Sequence, residues 1–202
     1  MPPKSEETNT DASPQAQRKQ LVAIARDIVR NDGMAALSLE TLAKKSNTPR
    51  PTVEYLFKDK PGLIRALFEA WVEEWQRRLM AALPETPPEA MLRQAAHIYR
   101  ELACSDRALF LAASTPMAIE ADLFGVLSRS TAFELFANFL KTGMAERRFR
   151  VTADPDATVR TLWGAVHGAV LLEICSGYDE LRGKRMLDES ISLMTRGLQR
   201  SG

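Results

Sequence analysis

Residues 37–60 read LSLETLAKKSNTPRPTVEYLFKDK, two short helical patterns separated by a turn. Ser38 is an N-cap type that opens a short helix through Lys45, with Glu40, Thr41 and Lys44 outside and Leu39, Leu42 and Ala43 inside. Ser46-Asn47-Thr48 breaks the pattern, and Pro49 to Leu56 then forms a second short helix. Two short helices joined by a turn of about three or four residues is the arrangement that sets the second helix into a DNA major groove. Ala36, Leu37, Leu39, Leu42, Ala43 and Val53 are small or aliphatic, which lets such helices cross closely. The second helix offers Pro49, Arg50, Pro51, Thr52, Glu54 and Tyr55, little of which a core requires.

Toward the N-terminus, Leu21, Ile24, Ala25 and Ile28 form one apolar helical stripe that Asn31-Asp32-Gly33 ends, Gly33 supplying a left-handed stop. Residues 1–13 lack large apolar side chains after Met1 and are expected to be a disordered tail. Toward the C-terminus, Asp59 has the character of an N-cap before a long helix from about Pro61 to Leu83, with the stripe Leu63, Ala66, Leu67, Ala70 and Trp71. Pro84 and Pro87-Pro88 separate this helix from a second half. Helices are expected there over 88–103, 106–114, 118–145, 155–176 and 184–200. Asp154-Pro155 and Gly177 bracket the fourth of these. The fold class is therefore all-α, with about nine helices. A DNA-binding domain over 14–60 holds the helix-turn-helix of about 38–57, a linker helix follows over 61–83, and 84–202 forms a second helical domain.

Net charge is +1 overall, so a nucleic-acid signal must be local. From Ser13 to Lys60, nine Lys/Arg stand against five Asp/Glu, which concentrates +4 in the N-terminal module and leaves about −3 elsewhere. The two cysteines, Cys104 and Cys175, form no CxxC pair and fit a reducing compartment. The N-terminal residues carry no apolar run of the signal-peptide kind, and no stretch of about eighteen apolar residues is present, so a cytoplasmic protein without membrane partners is expected. No Ser-His-Asp or Cys-His set, phosphate loop or carboxylate pair has supporting context, so the protein is read as not an enzyme. No HxxxH or CxxC spacing is present, so neither metal nor cofactor is expected.

The segment 155–176 is apolar around most of its circumference and must be buried on several sides. Gly164 and Gly168 lie four apart on one face, and mid-helix glycines at a cost of about 1 kcal/mol each require a packing reason. The last helix sets Leu187, Ile191, Met194 and Leu198 on one stripe. With Gly164, Gly168 and Leu171 these define an expected homodimer interface, two helices from each chain making a four-helix contact. His167 reads either as a polar handle in an apolar pocket or as a buried histidine bonded to a neighbouring carbonyl. The candidate ligand-binding set is His97, Phe110, Met117, Phe133, Trp163 and His167, and ordinary core packing accounts for the aromatic and sulfur-bearing members equally well.

From Lys19 to about Trp71 the sequence LVAIARDIVRNDGMAALSLETLAKKSNTPRPTVEYLFKDKPGLIRALF resembles the tetracycline-repressor (TetR) family. The resemblance rests on Ala25, Gly33, Ser38, Leu39, Leu42, Ala43, Thr52, Val53, Phe57, Lys60 and Leu63. It implies that Thr52 and Lys60 approach phosphates, that Arg50, Pro51 and Tyr55 face the groove, and that Phe57 packs beneath. With Ser38, Thr48, Glu54 and Lys58 these residues make up the expected DNA-binding set. The sequence departs from the family at the turn glycine, here Asn47, and in the T-L-Y run, where Glu54 replaces the tyrosine and Leu56 the aromatic two positions on. Trp163-Gly164-Ala165-Val166-His167-Gly168 also resembles the TetR subgroup named for its Trp-His-Gly signature. The resemblance implies a repressor of an operator in double-stranded DNA, released by an apolar small-molecule ligand. The alternative is a helical dimer that binds a partner without specific DNA recognition.

Overall fold

A computed structural model of the chain describes residues 13–82, 90–150 and 154–199. Eleven α-helices and a short 3-10 turn are found among them, with no strand. The chain forms two compact units that meet in sequence between Leu67 and Phe68. Of the tail expected over 1–13, all but Ser13 lies outside the described residues, as does the proline-rich segment near 84–88.

The first unit contains α1 (Pro14–Asp32), the 3-10 turn (Met34–Ala36), α2 (Leu39–Ser46), α3 (Arg50–Phe57) and the start of α4 (Lys60–Ala82). Ser13 opens α1, its hydroxyl accepting from the Ala16 N–H at 3.2 Å, and Pro14 takes the first turn where its missing N–H costs nothing. Gly33 ends α1 at φ +82, a backbone angle that side-chain-bearing residues rarely adopt. The buried face of α1 is Leu21, Val22, Ala25, Ile28 and Val29, one residue pair wider than the expected stripe, whose Ile24 is only half-buried. Leu37, Leu42, Val53, Phe57 and Leu63 complete a core from which solvent is nearly absent.

The second unit holds the rest of α4 with α5 (Met91–Ser105), α6 (Arg107–Ala112), α7 (Met117–Glu120), α8 (Leu123–Ser128), α9 (Thr131–Ala145), α10 (Pro155–Ser176) and α11 (Glu180–Leu198). The single helix expected over 118–145 is instead three. Asp122 adopts φ +51 and ends α7, its carboxylate folding over Gly125 where a Cβ would lie 2.2 Å from Oδ1. Ser130 then restarts the chain as N-cap of α9, accepting from Phe133 N–H at 3.2 Å. α11 likewise begins at Glu180 rather than 184, because Asp179 accepts from the Arg182 N–H at 2.8 Å. These breaks raise the helix count above the expected nine.

α10 packs on α11, α9 and α5, and α11 packs on α5. The α5–α10 contact contains an ion pair sealed from solvent. Nε of Arg100 donates to Glu173 at 2.7 Å, and Nη2 of the same residue reaches the Glu180 carbonyl at 3.3 Å, tying in the first turn of α11. Gly183 is required beside it, since a Cβ there would stand 2.0 Å from the Glu173 carboxyl carbon. No helix among the described residues is long and apolar enough to cross a membrane.

Candidate DNA interface and ligand cavity

α2 and α3 are built by local signals at each end. Ser38 caps α2, accepting from the Thr41 N–H at 3.0 Å. Asn47 closes it at φ 51 and ψ 35, the left-handed conformation expected of the glycine it replaces. Its N–H and that of Thr48 return to the carbonyls of Lys44 and Ala43. Val53 and Phe57 face inward and are buried, with Arg18 of α1 lying 5.7 Å over the Phe57 ring. Phe57 thus packs beneath α3.

The remaining surface of α3 is presented outward. Tyr55 is 81% exposed, and Arg50 and Pro51 are exposed at the first turn. Arg50 Nε donates to Glu54 Oε1 at 2.7 Å, one turn further on, and that carboxylate raises the Arg50 pKa from an already high value. Lys44 pairs with Glu40 and Lys45 with Asp32, so both lysines of α2 carry a carboxylate partner. Lys58 follows α3 at φ +67, and Asp59 caps α4 by accepting from the Gly62 N–H at 2.7 Å. Gly62 is required at this corner because a Cβ there would meet the Phe57 carbonyl oxygen at 2.0 Å. Thr52 is half-buried and Lys60 begins α4, while Ser38 and Thr48 sit at the ends of the α2 helix and its turn. The nine expected residues therefore gather on α2, α3 and the corner into α4.

In the second unit an apolar cavity lies among α4, α5, α9 and α10. Its walls are apolar, with Trp75, Tyr99, Phe133, Phe136, Trp163 and Val166 as the larger contributors and no charged side chain. A second apolar recess shares Leu92, Ala95 and Phe136 with it. Aromatic rings are arranged edge to face around Tyr99, with the centroids of Trp71 and Trp75 each 5.3 Å away. Phe136 stacks on Trp75 at 6.0 Å.

One polar chain approaches the cavity. The Tyr99 hydroxyl lies 2.8 Å from His167 Nδ1, and Nε2 of His167 lies 3.2 Å from the Ser114 hydroxyl. Burial lowers the His167 pKa and raises that of Tyr99, so both groups are neutral near pH 7. The Trp163 indole N–H stands beside the Tyr99 hydroxyl and slightly offsets the effect of burial on it.

Of the six residues expected to bind ligand, Phe133 and Trp163 line the cavity, and His167 stands behind Tyr99. Phe110 is buried against Tyr99 and His167. His97 does not line this cavity; its Nε2 lies 3.0 Å from Asp188 of α11, a carboxylate that also receives Arg93. Met117 starts the short α7 and does not line this cavity. Trp75 and Tyr99 were not singled out for ligand contact, since which face of a helix meets a void depends on the packing of four helices.

The residues of the expected dimer face divide between the core of the single chain and its surface. Leu187, Ile191 and Leu198 are at most 4% exposed within the single chain and belong to its core. Gly164 and Gly168 instead border open space, for a Cβ at either position would meet nothing within 4 Å. Leu172, Leu181 and Leu193, at 57%, 60% and 58% exposure, are the large apolar side chains that α10 and α11 leave uncovered, with Leu171 and Met194 half-buried.

The sequence model of the tetracyclin repressor-like, C-terminal domain matches residues 92–198, just over half of the chain. That description does not distinguish the Trp-His-Gly subgroup. No curated protein matches the chain in sequence. Solved structures share its fold at low identity. A TetR-family repressor, FadR of Thermus thermophilus, in complex with lauroyl-CoA, is 19% identical with a TM-score of 0.72, covering 92% of this chain and 97% of that one. RolR in complex with resorcinol is 17% identical with a TM-score of 0.72, covering 93% and 90%. A TetR-family transcription regulator of Shewanella sp. PV-4 is 13% identical with a TM-score of 0.70, covering 92% and 99%. With a family match over its second unit and a helix-turn-helix in its first, the chain belongs to the tetracyclin repressor-like (TetR) family of transcriptional regulators.

Proposed function

We propose that the protein is a homodimeric repressor that holds an operator through α2 and α3 and is released when an apolar small molecule fills the cavity among α4, α5, α9 and α10. The observation that carries this reading is the pairing of an outward-facing α3, free of core duty except at Val53 and Phe57, with an apolar, aromatic-lined cavity in the other unit. One such head reads too little DNA alone. A two-fold dimer supplies two, set about 34–36 Å apart for successive major grooves. The contact that joins the two chains is formed by α10 and α11, where Gly164, Gly168, Leu172 and Leu193 stand uncovered.

Related folds hold a lauroyl thioester in one case and a small phenol in another, so apolar bodies of different size enter this architecture. A ligand releases DNA only by its differential affinity for the two dimer shapes. α4 runs from the first unit into the second and gives the ligand a continuous element on which to act. The role is that of a regulator rather than an enzyme, and the expected place of action is the cytoplasm.

Footprinting on DNA that flanks the protein's own coding region tests the reading. A protected, two-fold symmetric site is the expected result. Uniform coating of every fragment at the same concentration would favour a helical dimer without sequence recognition.

A further inference from the structure

Among the residues of α3, only Arg50 and Glu54 carry charge, and their side chains are 61% and 43% exposed. The pair is made by Nε of Arg50 and Oε1 of Glu54, 2.7 Å apart. Both terminal nitrogens of the guanidinium and the second carboxylate oxygen are left without a hydrogen bond among the described residues. A further carboxylate, Glu40 of α2, acts on Arg50 more weakly and itself accepts from Lys44 Nζ at 2.8 Å. Arg50 is the first residue of α3, and the N-terminal residues of a recognition helix are those that reach base edges.

The hydrogen-bonding capacity left over restricts which bases the pair can meet. With Nε held by Glu54, the guanidinium presents its far edge, two parallel donors and no acceptor. Guanine is the base whose major-groove edge offers two acceptors, O6 and N7. The second oxygen of Glu54 is a charged acceptor, repelled by phosphates, by guanine O6 and N7 and by thymine O4. Adenine offers it an amine, but beside the N7 acceptor of the same edge. Cytosine offers its N4 amine with no acceptor next to it. Glu54 therefore lowers the attraction to DNA in general and offsets that loss at cytosine.

We propose that Arg50 and Glu54 act as one reading unit that selects two successive G·C pairs in each half-site. The terminal nitrogens of Arg50 donate to O6 and N7 of a guanine, and Glu54 accepts from N4 of the cytosine in the adjoining pair. This rests on the reading of α3 as the helix that enters the major groove and names the bases it selects there. Glu54 is then specificity-determining in two ways. It fixes the guanidinium from behind, and it penalises every neighbour that lacks the cytosine amine.

Selection of the full-length protein against randomised duplexes, followed by titration of modified duplexes, tests the assignment. The native protein is expected to enrich half-sites that contain two successive G·C pairs. Replacing the enriched guanines in turn by 7-deazaguanine, which lacks the N7 acceptor, should weaken native binding about 10-fold at one of them. Arg50→Ala should be indifferent to that replacement. Glu54→Ala should keep the guanine, accept any pair at the adjoining position and bind scrambled DNA more tightly than the native protein does. Half-sites without successive G·C pairs overturn the proposal while leaving sequence-specific binding in place. So does native binding that is unchanged by 7-deazaguanine, or an adjoining position still restricted to G·C in Glu54→Ala. A native protein that enriches no sequence overturns the reading of α3 as the helix in the groove. The selection and the 7-deazaguanine series use the native protein, so they decide the matter even if a variant does not fold.

Discussion

Nε of Arg50 donates to Oε1 of Glu54 across 2.7 Å, one turn apart on the exposed surface of α3. An exposed pair of this kind contributes little to stability. Its consequence is for recognition, since Glu54 orients the guanidinium from one side and leaves the terminal nitrogens for a base edge. With α3 in the groove, Arg50→Ala is expected to cost about 1–3 kcal/mol at a single base pair and to relax the preference there. Lys60→Ala should weaken all sequences alike and reduce the salt slope by about one. Glu54→Gln should strengthen binding to random DNA. Competition among randomised duplexes reads all three. A uniform loss in Arg50→Ala would make Arg50 a phosphate anchor.

The uncovered apolar positions of α10 and α11 predict which leucines govern assembly. Leu193→Glu and Gly168→Leu are expected to shift sedimentation toward the 22.5 kDa protomer, because one sets a charge and the other a bulky side chain where open space now lies. Leu187→Ala removes a core side chain and should cost about 2–5 kcal/mol in unfolding free energy without a selective effect on association. If Leu187→Ala dissociates the dimer while Leu193→Glu leaves it intact, the assignment of faces is reversed.

These two cases show what the sequence discloses. Ser38, Asn47, Asp59, Asp154 and Gly177 act through neighbours a few residues away, so the boundaries they set were legible. The stripe Leu187-Ile191-Leu198 announced a buried face, but periodicity does not say whether the burying surface is the same chain or another. The break at Asp122 was not anticipated, since its left-handed backbone depends on the fit of its carboxylate over Gly125 and on Arg129, 2.8 Å away. Tyr99 lies at the centre of the aromatic group only because α4, α6 and α10 converge on it. No spacing within α5 records that convergence.

The Arg100–Glu173 pair makes a prediction about stability. Glu173→Leu leaves a guanidinium buried without its partner and should destabilise the protein by about 3–5 kcal/mol in urea denaturation. The double variant Arg100→Met with Glu173→Leu should recover most of that loss, because no charge is then left uncompensated. A double variant as unstable as the single one would show that packing, not charge, sets the cost.

His167 sets a pH dependence. Burial holds its folded pKa below the ordinary 6.5, so the unfolded chain takes up a proton first as pH falls. The stability that neutral His167 contributes is complete above about pH 6.5 and is lost as pH drops from there through the folded value. His167→Gln is expected to flatten the fall in unfolding free energy between pH 7.5 and 5.5 relative to the native protein. An unchanged slope would assign the pH dependence elsewhere.

Sequence-specific DNA binding by a dimer is read from the affinity ratio between a selected operator and its scrambled duplex. Fluorescence anisotropy at about 150 mM salt should give two protomers per operator and a preference of at least about 10³-fold over the scrambled sequence. Equal affinity for the two duplexes would show that the dimer does not read sequence.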